Sequence, residues 1–293
     1  MPMSDNLRGA GFMVIAMTAF TLGDACMKGV AAQMPLYQAV TLRGLVTLPL
    51  LVLIAQFSGG LDLRATLRAG RTVWLRVLGE VASTITFFIA LVQMPLAVLS
   101  SILQALPLAV TAGAALFLGE RVGWRRVAAI CVGFLGVLLI VRPGPDGINV
   151  YALVALASVA FVVLRDLATR RLPASVPSTT MAFLSALSVT VVGAVLSLAE
   201  PWQPVPQSGY VLLPLAGVFV VTGYIFIIRV MRVGEVSFTT PFRYTSLLVA
   251  LVLGWVFFGE WPDGITLLGA AIVVASGLFT LLREARLRRA RVA

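Results

Sequence analysis

Five ionisable side chains lie deep in long apolar runs: Asp24, Lys28, Arg43, Glu80 and Arg243. A charge in hydrocarbon costs about 2.5–3.5 kcal/mol on insertion scales, and normally faces a bundle interior or a wet cavity. One acid and one base held together there can bind a small zwitterion, and a carboxyl group among them can carry a proton. Polar neighbours extend the set. Glu80, Ser83, Thr84 and Phe87 share a helix face by i, i+3, i+4, i+7 spacing. Ser101, Gln104 and Thr111 do likewise on the next apolar run, and Thr239, Arg243 and Ser246 line up beside Tyr244 on a later one. A cavity lined this way has aromatic walls from Phe87, Phe88, Phe242 and Tyr244. It suits a zwitterion with an apolar side chain. A second reading stays open for the charges: ion pairs that fix helix packing and touch no substrate. The hydroxyls have a plain alternative too, bonding to neighbouring helices or to their own backbone.

The elements that must position these groups are membrane spans. The chain is 60% hydrophobic and 12% charged, with mean hydropathy +1.02, whereas soluble domains carry about 25% charged residues. A spanning helix needs about 20 apolar residues, and ten runs qualify: 9–31, 36–57, 73–93, 97–118, 127–142, 149–169, 178–198, 209–229, 235–258 and 264–282. The first run carries Asp24 and Lys28, so it is read as a span rather than a cleaved signal. The net charge of +10 does not point to nucleic acid. Its arginines gather at alternate ends of the runs: Arg8, Arg64 to Arg76, Arg121 to Arg126, Arg165 to Arg171, Arg229 and Arg232, and the tail from Arg283. By the positive-inside rule both termini are cytoplasmic and the partner is the lipid bilayer. Cys26 and Cys131 sit in apolar runs and are not expected to form a disulfide.

Depth follows from about 1.5 Å of rise per residue, which puts Asp24 about 8 Å and Arg43 about 10 Å below the outer face. The same ruler puts Glu80 about 9 Å and Arg243 about 12 Å from the inner face. Two pairs are expected, Asp24–Arg43 and Glu80–Arg243. Lys28 is read as reaching for the outer surface.

The second half repeats the first at an offset of about 140 residues. Ala97 to Glu120 (AVLSSILQALPLAVTAGAALFLGE) matches Ser237 to Glu260 (SFTTPFRYTSLLVALVLGWVFFGE), each ending in a Gly-Glu turn. Ala19-Phe20 matches Ala160-Phe161, and Met34-Pro35 matches Val176-Pro177. Five spans per repeat is an odd number, so the second repeat enters the membrane inverted, which favours alternating access over a simple pore. The expected fold is all-α, with ten transmembrane helices as two inverted five-helix repeats over 7–143 and 149–283 and a basic cytoplasmic tail, 284–293. Pro107 and Pro241 are candidate hinges. Ala129-xxx-Gly133 and Ala271-xxx-Ala275 allow close helix packing within one chain, so a monomer is expected. The sequence has no Walker A run, no HExxH, no Cys/His metal spacing and no His at all. No cofactor, metal or enzymatic activity is expected.

Arg43 in RGLVTLPLLVL, the run ALVQMPLAVLSSILQALPLAVTAGAALFLGERV, and GEVSFTTPFRYTSLLVALVLGWVFFGEWPDGITLLGAAIVVASGLF together resemble EamA-type domains. Two in tandem are similar to ten-helix members of the drug/metabolite transporter superfamily, and among these to the YddG-type amino-acid exporters. The resemblance implies a central cavity formed by helices 1, 3, 4, 6, 8 and 9. It also implies export of aromatic amino acids, methionine or threonine through a bacterial inner membrane. Its motif residues here are Arg43, Gly119-Glu120 and Gly259-Glu260; the two Gly-Glu pairs read as structural turns. Arg43 has no basic repeat partner (Ser185 stands there) and Gln104 pairs with Tyr244, so the site is expected to be asymmetric. Efflux of cationic drugs or other metabolites, and a passive channel, are the alternatives.

Overall fold

A computed structural model describes residues 3–57, 60–119, 123–142, 149–173, 176–233 and 236–292. Among them only helices occur. Six of the ten spans are α1 (Met3–Ala31), α2 (Leu36–Phe57), α4 (Arg71–Gln93), α7 (Trp124–Val141), α8 (Val150–Arg170) and α9 (Ser178–Ser197). Two more are α10 (Gly209–Val233) and α13 (Gly264–Val292), and a short α3 (Leu63–Arg68) precedes α4. The tail residues up to Val292 continue α13. The other two spans are broken. The fourth consists of α5 (Leu96–Leu103) and α6 (Leu106–Leu118). The ninth runs as α11 (Val236–Thr239), a 3₁₀ turn (Thr240–Tyr244) and α12 (Thr245–Phe258).

Proline explains where these breaks fall. Pro107 is the second residue of α6 and Pro241 the second of the 3₁₀ turn, positions where no backbone N–H is required. Both prolines therefore start a helix instead of kinking one. The Gly-Glu turns end the same two spans. Gly119 (φ 68°) and Gly259 (φ 63°) adopt left-handed backbone, which a residue without Cβ takes at no steric cost. Glu260 N–H then donates to Gly254 O at 2.9 Å and Gly259 N–H to Trp255 O at 3.2 Å. Glu120 lies outside the described residues.

The most extensive packings are α1 on α10, α4 on α8, α7 on α13 and α2 on α9. Counted as spans, these are 1 with 8, 3 with 6, 5 with 10 and 2 with 7. Exchanging each span for its partner five places on returns the same set. Small residues permit the closest approaches. A Cβ on Gly136 would lie 2.8 Å from Gly269 O, and one on Gly269 would lie 2.7 Å from Gly136 O. The α7–α13 seam thus uses Gly133, Gly136 and Gly269, while Ala271 and Ala275 of the expected small-residue pair are exposed. Glycine admits backbone contact that alanine prevents, and so sets the register. Beyond this seam Arg142 pairs with Asp263. Its guanidinium, helped by the Thr266 N–H, holds the Asp263 carboxyl down to about 2.

Candidate functional site

Glu80 on α4 is 7% exposed and meets two guanidinium groups. Arg76, one turn earlier on the same helix, lies 3.6 Å from Oε2, and Arg165 of α8 lies 3.5 Å from Oε1. Arg165 is shared, because its Nε also donates to Asp166 Oδ1 at 2.9 Å. Arg76 donates to the Ser185 hydroxyl of α9. Gly79 makes the junction possible, since a Cβ there would stand 2.8 Å from the Arg165 backbone nitrogen. The absent side chain lets α4 and α8 touch beside the ion pair.

The expected Glu80–Arg243 pair therefore does not form. Arg243 stays within electrostatic reach of Asp166, Arg165 and Tyr244. Asp24 and Arg43 do face the same region and feel each other, but they are not in ion-pair contact within 4.0 Å. Arg43 lies over the Phe88 ring at 4.8 Å, and Phe88 meets Phe87 edge-on at 5.4 Å. Phe20, one turn before Asp24 on α1, meets Tyr224 edge-on at 5.6 Å. It seats against Gly223, where a Cβ would come within 2.5 Å of the ring. Tyr224 is the hub, within electrostatic reach of Glu80, Arg165, Arg76 and Arg43.

The centre thus splits in two. Glu80, Arg76, Arg165 and Asp166 neutralise one another. Asp24, Arg43 and Arg243 make no side-chain hydrogen bond or ion pair among the described residues, and their polar atoms still reach open space. Asp24 and Arg43, one unpaired acid and one unpaired base beside aromatic rings, can hold a ligand that carries both signs.

The remaining candidates divide in the same way. Thr84 and Phe87 are half-buried on the Glu80 face. Ser83 Oγ donates to Glu80 O at 3.0 Å and Ser101 Oγ to Ala97 O at 2.7 Å, so both hydroxyls are spent on their own helices. Thr239 is fully buried. Tyr244 packs on Gly277, with its hydroxyl sealed and unbonded. Gln104 Nε2 donates to Ser246 Oγ at 2.9 Å, and Ser246 Oγ to Arg243 O at 3.0 Å. That link joins the two broken spans.

Lys28 does not reach for the surface. It is 8% exposed. Its ammonium donates to Glu260 Oε1 and Oε2 at 2.6 and 2.9 Å and to Met94 O at 2.7 Å. The half-buried Glu260 carboxylate and the Met94 carbonyl outcompete the water that a reaching side chain would seek.

Sequence reasoning missed Arg76, Arg165, Asp166 and Tyr224 as central groups. The i, i+4 spacing of Arg76 and Glu80 was an available signal. Arg165 needed knowledge of the α4–α8 packing.

The EamA-like transporter family matches this chain twice, over residues 7–142 and 149–282. The chain belongs to the EamA-like transporter family. Its relatives include a riboflavin transporter of Vibrio cholerae, 29% identical over 286 residues, spanning 97% of this chain and 96% of that one. A pseudopaline exporter of Pseudomonas aeruginosa is 27% identical over 271 residues, covering 92% and 94% of the two chains. An S-adenosylmethionine uptake transporter of Rickettsia conorii is 27% identical over 186 residues, 61% of each. A solved crystal structure shares the fold with a TM-score of 0.66 at 22% identity, over 94% of this chain and 98% of that one. As an EamA-like transporter the chain carries small metabolites and is not an enzyme. Its ten apolar spans and bacterial relatives place it in the inner membrane.

Proposed function

We propose that this transporter exports small amphoteric metabolites by alternating access between two inverted five-helix repeats, 7–143 and 149–283, with both termini and the 284–293 tail cytoplasmic. The cargo class is aromatic amino acids, methionine, threonine and related metabolites. One observation carries the reading: Asp24 and Arg43 face the same region with no ion-pair partner, so a ligand bearing both an ammonium and a carboxylate completes the site. A charge left uncompensated in a low-dielectric site costs far more than one that a ligand completes.

The inversion is supported by a repeated link. Gln203 N–H donates to Gln38 Oε1 at 3.0 Å, and Asp62 N–H donates to Thr180 Oγ1 at 3.1 Å. Gln38 and Thr180 each stand three residues after the matched prolines Pro35 and Pro177. The same contact therefore recurs five spans apart, at opposite ends of a chain that crosses ten times.

A second reading has its own support. Phe20 with Tyr224, and Phe87 with Phe88, supply aromatic surface for a flat ring system. Riboflavin and S-adenosylmethionine, the cargo named for two relatives, both contain one.

Proteoliposomes loaded in turn with labelled tryptophan, phenylalanine, methionine, threonine, riboflavin and S-adenosylmethionine test both readings. Saturable efflux of the amino acids, abolished by Arg43→Gln, supports the first. Efflux of riboflavin alone replaces it with the second. Protein-free rates for the whole panel sink both.

A further inference from the structure

The Gly-Glu turn that ends the ninth span does more than cap a helix. Its carboxylate holds Lys28 through both oxygens and also accepts the Leu96 N–H at 3.0 Å through Oε2. The Lys28 ammonium in turn takes the Met94 carbonyl at 2.7 Å and lies 5.2 Å from the Phe258 ring centre. This cluster therefore gathers the end of α1, the Met94–Leu96 turn between α4 and α5, and the end of α12. It joins the first repeat to the second. All of these segments lie at one end of the bundle, the end at which Asp24 stands one helical turn below Lys28 on the same face of α1. Glu80 with Arg76 and Arg165 ties α4 to α8 toward the opposite end of these helices.

The symmetry-related spans are also linked at the opposite end. Arg171, just past α8, donates to Phe117 O of α6 at 3.2 Å, and it is exposed. A part-buried ion pair with further hydrogen bonds to both partners fixes geometry.

We propose that the Lys28–Glu260 pair is the gate on its face of the membrane. It is closed in the resting state, and it must separate for the Asp24 side of the central site to open. The proposal rests on the alternating-access reading, and its test uses no substrate. The reporter is a single cysteine, Thr84→Cys, on the half-buried cavity face of α4, with Cys26→Ser and Cys131→Ser. A membrane-impermeant maleimide is applied from the Lys28 face and, separately, from the other. With the pair intact, labelling from the Lys28 face is slow. Lys28→Met and Glu260→Gln each raise it about ten-fold or more and lower labelling from the other face, because removing contacts of one state shifts population to the other. The exchanged double variant Lys28→Glu with Glu260→Lys restores protection at least in part. Variants that label like the parent overturn the gate alone. A rise from both faces together also overturns it, since a mere brace would loosen the whole bundle. A parent labelled equally fast from both faces overturns alternating access itself.

Discussion

Neutralising Glu80 has a consequence that can be worked through from its partners. Glu80→Gln keeps the side-chain shape and leaves Arg76 and Arg165 without their shared carboxylate. The two are not equally exposed to that loss. Arg165 keeps Asp166 at 2.9 Å, while Arg76 keeps only the Ser185 hydroxyl. Removing one partner of a buried pair costs about 3–5 kcal/mol, mostly as an uncompensated charge. The contacts here, 3.5 and 3.6 Å, are longer than ideal, and the glutamine can still accept one guanidinium N–H, so about 2 kcal/mol is expected. The asymmetry fixes the second-site response. Arg76→Gln in the Glu80→Gln background should recover most of the loss, because it removes the stranded charge. Arg165→Gln should recover little, because it strands Asp166 instead. Thermal unfolding in detergent, read by tryptophan fluorescence, supplies both legs of the double-mutant cycle. Equal recovery by the two arginine changes, or no loss in Glu80→Gln, refutes this account of the network.

Three further outcomes follow from separate contacts. Gly44→Ala should destabilise by about 2–3 kcal/mol in the same melt, because the new Cβ would stand 2.1 Å from Thr190 Oγ1; Thr190→Ala should relieve part of it. Gln104→Leu removes the bond between the broken spans, worth about 1 kcal/mol, and should lower efflux more than it lowers the melting temperature. Asp263 titrates well below an ordinary carboxyl, so its contribution is fully present above the unfolded value and disappears as pH falls through about 2. The difference in melting temperature between the parent and Asp263→Asn should therefore hold at neutral pH and shrink to nothing toward pH 2.

The spans were legible because their lengths and apolar content are local properties. The structure moves most of their ends by only a few residues, and the fifth begins at Trp124 rather than 127. The breaks were legible through Pro107 and Pro241, each of which begins a new helical segment. Glu80, Arg243, Asp24 and Arg43 were found because charge in hydrocarbon is conspicuous in any sequence. Their partners were not, because depth along a helix says nothing about which neighbour it faces. Arg76 and Arg165 read as topology-setting arginines for the same reason: both sit near helix ends, yet both point inward. The Lys28 contact is not legible because its partner, Glu260, is 232 residues away. The sequence separation hides a contact that the packing of α1 against α12 makes inevitable.

The central claim is that one amphoteric site, built on Asp24 and Arg43, is presented to one side of the membrane at a time. Counterflow in proteoliposomes tests it most directly: uptake of labelled phenylalanine into vesicles preloaded with the same unlabelled amino acid. The account predicts uptake accelerated by preloading in the parent and lost in both Asp24→Asn and Arg43→Gln. Uptake that ignores preloading, or that survives both changes, contradicts it.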